Sequence, residues 1–209
     1  MKIETELVTG FNPAFKAMRN PMNSWDKSDT DYGDIYGNAV IGEKDMNLSL
    51  KLQKAGPEHC KHLRMVMCWA SITAPRFWWQ EFDTYRTGVE KVSCSTMHKL
   101  MARPLTLDDF ECEEGAQMAL ESVIRNLNAR METWKNMIDV DDDAAKKVWR
   151  EIIEILPQSY LQKRTVMMSY ASLRNIVRQR KGHKLKEWAQ CIDWVRTLPY
   201  ANELIFDEI

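Results

Sequence analysis

LPQSYLQKRTVMMSYASLRNIVRQRKGHKLKEW, residues 156–188, carries more of the fold than any other stretch. From Gln158 to Lys186 it holds eight basic residues and no Asp or Glu: Lys163, Arg164, Arg174, Arg178, Arg180, Lys181, Lys184 and Lys186. The whole chain balances 29 Lys and Arg against 30 Asp and Glu. A one-sided run inside a balanced chain means that acid lies elsewhere and that this region can face an anion. TVMMSYASLRNIVRQR, residues 165–180, predicts a helix. Val166, Tyr170, Leu173 and Val177 share one face; Ser169, Leu173, Ile176 and Arg180 share the next; Arg174, Arg178 and Lys181 share another. These charges read either as a solvated basic face or as one or two phosphate-binding arginines.

Upstream, RMVMCWASIT (64–73) is dense in apolar and β-branched residues and predicts a buried strand. Thr73 is then a candidate N-cap, with Pro75 in the first helical turn. RFWWQEFDTYRTG (76–88) follows as a helix. Trp78, Phe82 and Tyr85 fall on one stripe; Trp79, Asp83 and Arg86 fall on its neighbour. This is either an amphipathic core helix with an Asp83–Arg86 surface pair or the wall of a cleft in which Arg86 meets an anion.

The remaining chain supplies the frame. KIETELV alternates as a strand does. Residues 12–38, rich in Asn, Asp, Gly and Pro, predict a short helix and then a long ordered loop anchored by Trp25, Tyr32 and Tyr36. EKDMNLSLKLQKAG predicts a helix stopped by Gly56. TGVEKVSCSTMHK reads as a loop or the start of the next element, and TLDDFE offers caps. From Gly115, apolar residues recur at helical spacing through Leu120, Val123, Ile124, Leu127, Met131, Trp134 and Ile138, a long helix with one apolar face. DVDDD is not a calcium loop: Ala144 and Arg150 stand where Gly and Glu are needed. Those acids suit a helix N-terminus instead.

Composition narrows the class. A chain of 209 residues, 44% apolar and 28% charged, suits a single domain spanning 1–209. A net charge of −1 argues against general nucleic-acid binding. No apolar run is long enough to span a bilayer, and MKIETELVTG has no apolar signal core, so a cytoplasmic protein is expected. Five cysteines without a CxxC pair predict free thiols. HCKH, residues 59–62, lacks a second ligand pair for zinc, so no metal site is expected. P-loop, GxGxxG, GxSxG and HExxH motifs are absent.

Several of these segments together resemble the flavin-dependent thymidylate synthases. Residues 156–188 are similar to the family's Leu-Pro turn, long helix, closing Arg and His-containing turn. AGPEHCKHLRMVMCWASITAPRFWWQEFDTYR (55–86) resembles the segment that leads through a strand, an Ala-Pro step and an aromatic helix into the family's Arg-His-Arg motif. SCSTMHK (93–99) sits where the family has its Ser-x-Arg-Tyr substrate loop. The resemblance covers roughly residues 50 to 205, with an echo in ELVTGF, and rests on order and spacing more than identity. The chain also resembles bacteriophage and gut-bacterial proteins that carry segments like NPMNSWDKSD.

The resemblance implies an α+β fold with an antiparallel sheet and long helices, working as a homotetramer with shared active sites. It implies methylation of dUMP, with FAD as hydride carrier and NADPH and methylenetetrahydrofolate as co-substrates. Carried over by position, Arg180 would contact and polarise the pyrimidine as the catalytic residue. Arg86, Gln80, Ser93, Ser95 and Arg174 are the nucleotide-binding candidates. Asn175, Ser169, His62 and Arg64 are the cofactor-binding ones. Thr84 and Tyr85 replace the first two residues of the Arg-His-Arg motif, and Met97 replaces the loop arginine. Such losses suit a rival reading, a non-catalytic nucleotide-binding or host-factor-inhibiting phage protein on the same scaffold. A third reading is a structural oligomer whose Met- and Trp-rich faces are only interface.

Overall fold

The computed structural model describes residues 1–33 and 39–207. In chain order its main elements are β1 (Lys2–Thr9), α1 (Phe11–Met18), α2 (Glu43–Ala55), β2 (Met67–Pro75), α3 (Arg76–Phe82), β3 (Val89–Ser93) and α4 (Thr96–Lys99). There follow α5 (Gln117–Met137), α6 (Asp142–Ile155), β4 (Leu161–Ser169), α7 (Tyr170–Arg180), α8 (Lys186–Arg196) and α9 (Ala201–Leu204). The strands form one antiparallel sheet in the order β1-β2-β4-β3, an α+β architecture. No described helix is long and apolar enough to cross a membrane.

The chain divides into two compact units. The first comprises Met1–Lys2, Thr73–Phe82 and Ser93–Arg164. Its core is the α5–α6 pair, where Leu120, Ile124, Leu127 and Met131 pack with Ile152, Leu156 and Phe110. Leu120, Ile124, Leu127 and Met131 are among the positions that helical periodicity marks in the sequence. Asp141 caps α6, its side chain accepting from the Ala144 amide at 3.0 Å. The acidic cluster therefore complements a helix dipole. Trp78 stacks on Phe82 at 4.9 Å between ring centroids, and both are fully buried.

The second unit comprises Ile3–Ile72, Asp83–Val92 and Thr165–Ile209. Phe15, Leu63, Tyr170, Leu173 and Trp188 are all fully buried in it. Phe11 meets Tyr170 and Tyr200 edge-on at 5.5 and 5.4 Å. The segment after α1 is held by Asp45 on α2, which is fully buried. Its carboxylate pairs with Arg19 and accepts from the Ser28 and Thr30 hydroxyls. Gly56 ends α2 at φ +130°, a conformation that L side chains rarely adopt.

Five local expectations change. Residues 165–169 are not helical: β4 runs to Ser169 and only Tyr170–Arg180 is helix. From Lys163 to Met168 exposure alternates with period two, and β-branched Thr165 and Val166 favour the pleat. Val166 is thus a strand residue, while Tyr170, Leu173 and Val177 are buried on α7. Thr73 is likewise in a strand rather than at a cap, because β2 continues through Pro75. The helix after it ends at Phe82, so Tyr85 and Arg86 do not extend its stripes. Asp83 pairs with Lys91 at 2.9 Å and not with Arg86. In the loop, Trp25 is not buried as an anchor: it is 49% exposed and donates to Asn20 at 2.9 Å. Tyr32 is tied to Ser28 at 2.8 Å. Tyr36 lies outside the described residues.

Candidate functional site

Helix α7 organises the candidate site at both of its ends. At its start, the Ser169 hydroxyl accepts from the Ser172 amide at 3.1 Å, the ordinary N-cap interaction. The Ser172 hydroxyl donates to the Thr87 carbonyl at 2.8 Å. Gly88 lies directly beneath: a Cβ there would stand 2.8 Å from Ser169 Oγ and 2.7 Å from Ser172 Oγ, and its φ is +66°. Only glycine fits this approach.

The result is a groove of about 220 Å³ lined by Arg64, Met67, Gly88, Ser169, Ser172 and Asn175 among others. Three of the four residues that the resemblance marks as cofactor-binding, Arg64, Ser169 and Asn175, therefore meet on one surface. Ser169 is 2% exposed and spends its hydroxyl on the cap. Asn175 is half-buried, and its side-chain oxygen accepts from Gln179 at 3.1 Å. Its amide donors remain for a ligand. Arg64 is exposed and donates to the Pro57 carbonyl at 3.2 Å. A groove of amide and guanidinium donors suits carbonyl or phosphate oxygens.

At the other end of α7, Arg180 is caged. Its Nε donates to the Tyr85 hydroxyl at 2.8 Å. Its guanidinium lies 4.5 Å from the Trp188 ring and 5.5 Å from the Tyr85 ring. Trp188 is fully buried and Tyr85 nearly so. Two aromatic rings thus fix the plane of a permanently charged fork.

The other candidates are dispersed. Arg86 is exposed in the same unit. Arg174 is half-buried and hydrogen-bonded to the Gln53 side chain on α2. His62 does not join Arg64 on the groove. It is buried, with Nε2 2.8 Å from Ser49 Oγ, and lines a separate cavity. Gln80, Ser93 and Ser95 belong to the other unit. Gln80 donates to Gln158 at 3.1 Å, and Ser95 accepts from the His98 amide to cap α4. No group of three His, Cys, Asp or Glu side chains suited to a metal occurs among the described residues. Cys60 of HCKH donates to the Gly56 carbonyl.

Burial pushes His62 down from 6.5 to about 4, so it is neutral at pH 7. The unfolded chain takes up a proton below the ordinary value, while the folded chain refuses it until about pH 4. Stability is therefore lost as pH falls across that window, by about 3 kcal/mol in all. His62→Gln should flatten this limb in thermal melts compared at pH 7 and pH 4.5. Equal acid sensitivity in the two proteins would assign it to other groups.

Sequence reasoning missed Tyr85 and Trp188 as partners of Arg180, and Gly88 as the floor of the groove. Trp188 is brought in by α8, a contact no local spacing encodes.

This combination of a four-stranded antiparallel sheet and helices α1–α9 is the fold of the flavin-dependent thymidylate synthases. The chain matches ThyX of Helicobacter pylori, solved in complex with FAD and dUMP, with a TM-score of 0.71 at 20% identity over 99% of both chains. A second structure of the same enzyme with FAD and dUMP gives 0.68 at 18% identity, over 99% of this chain and 98% of that one. No protein-family model matches the sequence. No curated protein matches it either.

Proposed function

We propose that this chain is a flavin-dependent thymidylate synthase-like protein that binds a pyrimidine nucleotide of the dUMP type together with FAD. Its reaction is methylation or reduction of the base. The observation that carries this reading is α7 itself, with a donor-lined groove at its first turn and an aromatic-caged arginine at its last. The fold, shared over 99% of this chain with an enzyme solved with FAD and dUMP, supports the same reading.

The residues fit such ligands unevenly. Asn175 and Arg64 offer donors to the ring edge of a flavin or to a phosphate, and Arg180 offers a planar fork to pyrimidine oxygens. The flavin would supply hydride transfer. The chain's own contribution is to orient and polarise the base through Arg180. Residues 1–209 act as one functional domain in a cytoplasmic homotetramer, with NADPH and methylenetetrahydrofolate as co-substrates where the family reaction is kept.

One observation favours the non-catalytic alternative. The residues at the motif's first Arg and His are Thr84 and Tyr85, and Tyr85 holds Arg180 rather than offering a further charge. The visible spectrum of the purified protein, recorded with FAD and then with dUMP, separates the readings. Flavin bands that shift with dUMP support the enzyme. Stabilisation by dUMP without bound flavin selects the binding protein, and no response to either rejects both.

Arg86 gives a second test. It is exposed, and its side chain makes no hydrogen bond or ion pair within the described residues. Arg86→Ala should weaken dUMP binding by about tenfold, the worth of a charge-assisted contact, with an unchanged melting temperature. A stability loss with intact binding would refute the assignment.

A further inference from the structure

A second cavity in the same unit shares no lining residue with the groove at α7. It measures about 820 Å³, within the usual range of small-molecule sites. Its apolar walls are Met18, Pro21, Met22, Leu48, Leu52 and Met65. Met22 and Met65 stand 82% and 44% exposed, and thioethers adapt readily to an irregular guest.

Charge surrounds one side of it. Arg19, Lys27 and Leu48 also line an adjoining recess of about 400 Å³, completed by Lys44, Asn47 and Lys51. That lining holds four cations and no carboxylate. Lys44, Asn47, Leu48 and Lys51 recur at i, i+3, i+4 and i+7, so α2 presents them as one stripe.

Two of the neighbouring acids are already committed. Asp45 is taken by Arg19, Ser28 and Thr30. Asp29 accepts from the Lys44 and Asp45 amides at 2.8 and 3.1 Å. Glu58, the one carboxylate in the lining of the larger cavity, lies 3.5 Å from His59, which pairs with it only when protonated. Lys27, Lys44, Lys51 and Lys61 form no ion pair among the described residues. Cations gathered without an ion-pair partner beside an apolar hollow are complementary to a molecule that is anionic at one end and apolar at the other.

We propose that the two recesses together bind a phosphate-headed organic anion. An apolar body of ring size fills the larger cavity, and the phosphate lies among Lys27, Lys44 and Lys51. Arg19 is a wall rather than a head-group ligand, because Asp45 already holds it. The cavity shares no lining residue with the groove at α7, and its Met and Leu walls suit an apolar body, so this is a site separate from the one proposed for the nucleotide.

Calorimetry on the full chain at low salt tests this with 1-naphthyl phosphate as the probe. It should bind in the micromolar range. Both 1-naphthol, which lacks the head, and inorganic phosphate, which lacks the body, should bind at least about tenfold more weakly. The double variant Lys44→Glu, Lys51→Glu should lose at least about tenfold with its melting temperature kept, since both side chains lie outside the core. Met22→Glu should have a similar effect by placing a carboxylate at the apolar mouth. Asn175→Ala and saturating dUMP should leave the binding untouched. Absence of binding, equal affinity for 1-naphthol, or wild-type affinity in the lysine variant would each overturn the proposal. So would displacement by dUMP, which would assign the probe to the nucleotide site. A failed nucleotide assay with intact 1-naphthyl phosphate binding would reject only the reading of α7.

Discussion

Replacing Asp45 with alanine should cost about 3–5 kcal/mol and lower the melting temperature by roughly 10 °C. The side chain is fully buried at the start of α2. One carboxylate oxygen receives Arg19 Nε at 2.7 Å and its Nη2 at 2.5 Å. The other accepts from Ser28 at 2.5 Å and Thr30 at 2.6 Å. Arg19 is itself only 7% exposed, so the alanine variant leaves a largely buried guanidinium without its partner. That orphaned charge, rather than the lost attraction, dominates the expected cost. Asp45→Ala combined with Arg19→Met should therefore be more stable than Asp45→Ala alone. Asp45→Asn, which keeps the shape and an acceptor for one hydroxyl, should fall between wild type and alanine. A shift below about 2 °C in Asp45→Ala would mean that the pair is solvated, and that the segment from Arg19 to Thr30 is held by other contacts.

The elements that could be read from the sequence are those whose signal is local. Helix α5 announces itself through Leu120, Ile124, Leu127 and Met131, because a helix packed on one side must repeat its apolar residues every three or four positions. Gly56 marks the end of α2 for an equally local reason. The break between β4 and α7 was not legible in the same way. Val166 and Tyr170 lie four apart, which satisfies a helical template, and Met167 and Met168 suit either state. Ser169 decides the boundary as a cap, and its role depends on Gly88 drawn close beneath it. Asp45, the buried charge on which the first loop depends, carries no local mark within EKDMNLSLKLQKAG. Nothing in its neighbours along the chain reports that Arg19, Ser28 and Thr30 converge on it.

The candidate site divides along the same line. Its polar residues were nominated by the family resemblance, position by position: Arg64, Ser169 and Asn175 line one groove. What holds them was not, since Gly88 and Thr87 reach the groove only through tertiary packing. His62 and Arg64 are two positions apart and face different cavities, because the short turn over Lys61–Arg64 sends one side chain onto Ser49 and leaves the other outside. Proximity in sequence is poor guidance where the backbone turns.

Arg180→Ala should lower dUMP affinity by about a hundredfold, the upper range for one charge-assisted, geometrically fixed contact. Arg180→Lys should lose nearly as much. An ammonium cannot donate to Tyr85 through a fixed Nε while its plane lies against Trp188 4.5 Å away, and it offers no fork. Tyr85→Phe removes one hydrogen bond to the guanidinium and keeps the ring, so it should cost only severalfold in affinity. Trp188→Ala is unsuitable as a test, because deleting a fully buried indole destabilises the unit whatever Arg180 does. The graded order, phenylalanine mild and lysine severe, is what a positioned fork predicts and what a merely packed cation would not show. Melting temperature measured on the same proteins separates lost binding from lost folding. If FAD is bound, the dUMP-induced shift of its absorption bands should vanish in Arg180→Ala while the bands themselves remain. Wild-type dUMP affinity in both Arg180 variants would make this residue a packing cation and remove the C-terminal end of α7 from the nucleotide site.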